Sequence, residues 1–112
     1  MSKKIFTVNT PYSGASTVTL DSGAWYGHIQ PGHPEMAGKL ENIKSTLTSP
    51  TVVCAASDPD YVSFVSHTET NSLGHPLMVC VNPMAKSGPV VATAYYGKKY
   101  ADLSKLNIKW KL

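Results

Sequence analysis

Residues 34–56 read PEMAGKLENIKSTLTSPTVVCAA, and the period of the apolar positions changes once within them, at Ser49-Pro50. Before that break Met36, Leu40, Ile43 and Leu47 recur at spacings of four, three and four, which is one apolar stripe of a helix. Pro34 suits the first position of such a helix. Glu35 and Lys39 form an i,i+4 pair in the favoured order, and Ser49-Pro50 ends the helix. Past the break the period falls to about two. Residues 51–56, 61–67, 77–81 and 90–96 are strand-length runs, joined by turn-rich connectors at 57–60, 68–75 and 82–88. Consecutive strands without intervening helices predict an antiparallel meander, with the Met36–Leu47 stripe as the cover for one face.

Upstream, residues 4–8 and 16–20 are β-prone and flank the turn residues of 9–14, so a hairpin is expected there. Asp21-Ser-Gly breaks that pattern. Trp25 and Ile29 then lie one turn apart in a short helix that Pro31-Gly32 stops. The tail 106–112 alternates again, Leu106, Ile108, Trp110 and Leu112 against Asn107, Lys109 and Lys111, and suits an edge strand whose lysines discourage further pairing. The fold class that follows is α+β. A hairpin and two helices pack on a four-stranded antiparallel meander, in one domain over residues 1–112.

At 112 residues there is room for one modest core. A hydrophobic fraction of 42% against 15% charged residues is that of a folded globule. No apolar run reaches the roughly 18 residues of a membrane span. The start Met-Ser-Lys-Lys-Ile-Phe lacks the apolar region of a secretory signal, so a soluble cytoplasmic protein is expected. Cys54 and Cys80 sit inside apolar runs and read as core thiols. The formal charge of +3 is a mild pointer to anionic partners, and it is made from ten lysines without a single arginine. Phosphate recognition must therefore rest on lysine, histidine or backbone N–H groups.

Chemistry-bearing residues crowd into 25–35. Trp25, His28 and His33 precede Pro34-Glu35. His28, three positions after Trp25, is expected near the buried face of the short helix. His33 is expected at the N-cap of the second helix, where other residue types cap better and where an anionic phosphate is favoured. An imidazole's ordinary pKa of about 6.5 lets two such rings act as base and acid in one displacement. The spacing His28-x4-His33-x-Glu35 matches no common zinc pattern, so no metal is expected. From the strand 90–96, Thr93 and Tyr95 point the same way as Val91 and are placed to donate to phosphate. Lys98-Lys99 follows at once as a source of cations, and His67 and His75 flank a loop.

The order Trp25, His28-Ile29, His33-Pro34-Glu35-Met36, a helix ending in Ser49-Pro50, and a late Val-Val-Ala-Thr-Ala-Tyr strand at 90–95 resembles the phage-associated members of the barnase–EndoU–colicin–RelE superfamily. The resemblance covers roughly residues 24–96. It implies a barnase/RelE-like arrangement and a metal-independent endoribonuclease, toxin-like, that cleaves RNA by attack of the 2′-hydroxyl on the adjacent phosphate. It also implies RNA as partner, an inhibitor or immunity protein in toxin members, and no cofactor. Carried onto this chain, His28 and His33 are base and acid, and Thr93 and Tyr95 hold the phosphate. Trp25, Glu35, His67, Lys98 and Lys99 then line the substrate site. The alternatives are a non-catalytic RNA-binding protein of the same fold and an accessory phage or bacterial protein that touches no nucleic acid.

Overall fold

A computed structural model describes residues 3–112, so Met1 and Ser2 of the Met1–Phe6 start lie outside the described residues. Seven strands form one mixed sheet: β1 (Lys4–Asn9), β2 (Thr17–Asp21), β3 (Val52–Ala55), β4 (Val62–Thr70), β5 (Pro76–Asn82), β6 (Val90–Tyr96) and β7 (Ile108–Lys111). Their order across the sheet is β1-β2-β6-β5-β4-β3-β7. Every neighbouring pair is antiparallel except β2 and β6, which run parallel and meet in register at Thr19 and Val90.

This overturns the α+β, barnase/RelE-like expectation of a four-stranded meander under two packed helices. The molecule is mostly β, and its sheet extends past that meander on both sides. The hairpin β1–β2 joins the same sheet through β6, and the tail pairs with β3 as the far edge. Both joins link residues far apart in sequence, where local periodicity carries no information on partners.

The helices also differ from expectation: the first is longer and the second shorter. The first, α1 (residues 22–32), starts where the Asp21 carboxylate accepts the Ala24 N–H at 2.8 Å, an N-cap inside the apparent pattern break. Its middle, Trp25–Ile29, is a π-turn, closed by the Gln30 N–H on the Trp25 carbonyl. Pro34–Met36 is a single 3₁₀ turn, and Gly38 at φ 75° separates it from α2 (Leu40–Thr48). The left-handed backbone at Gly38 breaks what reads in the sequence as one continuous helix.

One face of the sheet carries the main core. Trp25, Ile29, Met36, Ile43 and Leu47 pack there on Phe6, Val53, Phe64, Val79 and Ala94. The opposite face carries Val52, Cys54, Val65, Met78 and Cys80, covered by Tyr100, Leu103 and Leu106 from the turns after β6. Tyr100 anchors that cover, its hydroxyl 3.2 Å from Ser63 Oγ and its carbonyl 3.0 Å from His67 Nε2. No helix among the described residues is long and apolar enough to cross a membrane.

Candidate functional site

The second face is where the chemistry collects. Strand alternation and register place Cys54 opposite Ser63, Ser63 opposite Cys80, and Cys80 opposite Thr93, a transverse row of two thiols and two hydroxyls. Beside Thr93 a bulge makes Ala92 the extra residue, since Cys80 faces Thr93 while Val81 faces Val91. The bulge turns Val91 into the main core, whereas Thr93 and Tyr95 stay on the second face. The expectation that all three point one way fails for this reason.

A cavity of about 210 Å³ lies over this row, lined by Ser63, Met78, Cys80, Thr93, Tyr95 and Tyr100 and, from the β3–β4 connector, Ala56, Ser57 and Asp58. Ala56, Ser57 and Tyr100 also line a larger open groove of about 790 Å³, together with Lys98, Lys99, Lys105, Asp102 and Asn107. The two spaces therefore adjoin across Tyr100. Lys99 sits at the junction, its ammonium donating to Ser57 Oγ and lying 5.0 Å from the Tyr100 ring centroid.

At the other end His33 stacks on Tyr95, with ring centroids 5.0 Å apart and planes inclined by 25°. His33 Nδ1 lies 4.0 Å from Glu35 Oε2, within ion-pair reach of a protonated ring, and its side chain is 33% exposed, so the ring is reachable. Burial, and then the neighbouring Tyr100 hydroxyl, push the Tyr95 pKa well up, which keeps the phenol a neutral donor at ordinary pH. Burial likewise raises Cys80 and Cys54 to about 11, against a smaller opposing pull from Lys99. Both thiols are uncharged at neutral pH and poor nucleophiles. They are free, and β4 lies between them. Two inter-strand steps of about 4.8 Å exceed the roughly 7 Å limit for a disulfide.

Of the residues singled out in the sequence, Thr93 and Tyr95 line the cavity, Lys98 and Lys99 line the groove, and His33, with Glu35 beside it, joins them through the stack on Tyr95. Trp25, His28 and His67 do not join them. Trp25 is only 2% exposed and belongs to the main core. His28 is exposed, not near the buried face. The i→i+5 closure takes more residues than an α-turn, so the position three after Trp25 is rotated further from it. His67 is a brace for Tyr100, and its Nδ1 is buried without a partner within the protein.

The N-cap role expected for His33 also fails. Pro34–Met36 is one 3₁₀ turn, too short for an appreciable macrodipole, and α2 begins only at Leu40. The residues missed were Ser63, Cys80 and Tyr100, whose roles depend on cross-strand register and on the return of the chain over the sheet. Among the described residues no three His, Cys, Asp or Glu side chains converge as metal ligands. No protein-family model, no curated protein and no solved structure matches the chain.

Proposed function

We propose that the protein is a small metal-independent endoribonuclease working on the second face, with His33 as its proton-transfer residue. The stack of His33 on Tyr95, at the cavity that Thr93 lines and beside the lysine-rimmed groove, carries this reading. Cleavage begins when an imidazole nitrogen takes the proton of a 2′-hydroxyl. The 2′-oxygen attacks phosphorus, and the bond to the 5′-oxygen breaks as that oxygen takes a proton from solvent. Glu35 orients and supports the imidazolium that forms. Lys99 is the donor suited to the phosphate oxygens, and lysine fills the charge-balancing role in a chain without arginine.

The products expected are a 2′,3′-cyclic phosphate and a free 5′-hydroxyl. Incubation with single-stranded RNA in EDTA, followed by end-group analysis, tests this. A 5′-phosphate product, or activity that EDTA removes, contradicts it.

One observation favours a second reading, that of RNA binding without cleavage. His28 is exposed and, unlike His33, makes no ring contact with Tyr95, so a second imidazole is lacking for the acid step. Salt-dependent binding with intact RNA would select that reading.

A further inference from the structure

The 210 Å³ cavity under Tyr95 and Tyr100 differs in chemistry from the lysine groove that adjoins it. Apart from Asp58, its walls are apolar or neutral, among them Met78, Cys80, Ala56 and the two tyrosines. Burial holds the Cys80 thiol and the Tyr95 phenol in their uncharged forms at neutral pH. The one fully ionic group in its lining is the Asp58 carboxylate, which repels phosphate and accepts hydrogen bonds from ring N–H groups. Its volume is below the roughly 300 Å³ at which pockets for drug-sized ligands begin, so it suits one ring system and not a whole nucleotide.

Thr93 gives the second observation. Its hydroxyl is fully buried and has no hydrogen-bond partner within the protein, although Ser63, in the same row, is bonded to Tyr100. A buried hydroxyl left so is a stability loss with no structural return, the pattern of a polar group kept for a ligand.

We propose that this cavity takes one unpaired nucleobase of the bound RNA, walled by Tyr95 and Tyr100, hydrogen-bonded by Thr93, with its phosphates in the Lys98–Lys99–Lys105 groove. The inference rests on the RNA reading above. Base and phosphate then occupy adjoining spaces, and Ala56, Ser57 and Tyr100, which line both, form the divide.

The test uses the whole protein and a 2′-O-methyl RNA dodecamer, which cannot be cut, beside an abasic sugar–phosphate strand of equal length. Affinities are read by fluorescence anisotropy for the wild type and for Thr93→Val. The wild type is expected to bind the base-bearing strand about tenfold or more tighter than the abasic one. Thr93→Val is expected to weaken base-bearing binding by about threefold to tenfold, leave abasic binding unchanged, and melt at a higher temperature than the wild type. Equal wild-type affinity for the two strands overturns the base pocket while the RNA reading stands. So does a Thr93→Val variant that binds as the wild type or melts lower. Binding of neither strand at low salt overturns both readings.

Discussion

Tyr95 belongs to two environments at once. Its ring is the surface on which His33 lies, and its hydroxyl is turned toward that of Tyr100. Tyr95→Phe keeps the stack and removes only the donor. Binding of base-bearing RNA is expected to weaken about threefold to tenfold, and stability to fall by about 1 kcal/mol because the Tyr100 hydroxyl loses its neighbour. Fluorescence anisotropy beside a thermal melt separates the two effects. Gly38 is the other residue whose role is sharply defined. Nothing lies within 4 Å of a Cβ built on it, so an Ala there would meet no clash and would pay only for its φ of 75°. Gly38→Ala is expected to cost about 1–2 kcal/mol, read by urea unfolding. The sequence was informative about residue type and poor about direction. His33, Thr93 and Tyr95 carried their chemistry in plain view, but Trp25 stays in the core instead of lining a site, and His28 turns outward because a π-turn rotates it away from Trp25.

The strands were legible one by one and the helices were not. Each of the seven strands falls on a run of β-prone or alternating residues, Val90–Tyr96 being the plainest. The Met36–Leu47 stripe did find the covering side chains, since Met36, Ile43 and Leu47 are fully buried. It hid the fact that Met36 leaves a 3₁₀ turn and the other two leave α2. Period alone does not separate one helix from two short pieces that present the same face. Leu47→Ala in α2 is expected to cost about 2–5 kcal/mol, because its site is walled by the sheet and cannot collapse. The element that the sequence concealed most is the cover after β6. Lys98–Tyr100 reads as a charge pair on a surface, yet it places Tyr100 against Ser63 and Lys99 against Ser57. Tyr100→Phe strands the buried Ser63 hydroxyl and is expected to cost about 1–3 kcal/mol, measurable by chemical denaturation.

Over the whole molecule, strand pairing decides the architecture. The joins β2–β6 and β3–β7 make a mixed sheet of seven strands from what reads locally as a hairpin, a meander and a tail. Both depend on contacts across most of the chain, which periodicity does not encode. The site inherits that dependence. Its floor is legible only once Ser63, Cys80 and Thr93 are known to be in register. The same burial sets the alkaline limit of the fold. Cys54 and Cys80 have native pKa values of about 11 against an ordinary value of 9.0, so the native state holds protons that the unfolded state has lost between those limits. Stability from this source is full below pH 9 and is lost as pH rises through about 11. Denaturant midpoints are expected to be level from pH 7 to 8.5 and to fall beyond pH 9, less steeply in Cys80→Ala.

In the proposed reaction one histidine, His33, transfers the proton, with Tyr95 beneath it. The decisive measurement is cleavage of single-stranded RNA in EDTA, compared between His33→Ala and His28→Ala. His33→Ala is expected to lose about 100-fold or more in rate while folding and binding RNA as the parent does. His28→Ala is expected to cut at the parent's rate. Loss of cleavage in His28→Ala with His33→Ala unaffected, or no cleavage by the parent, contradicts it.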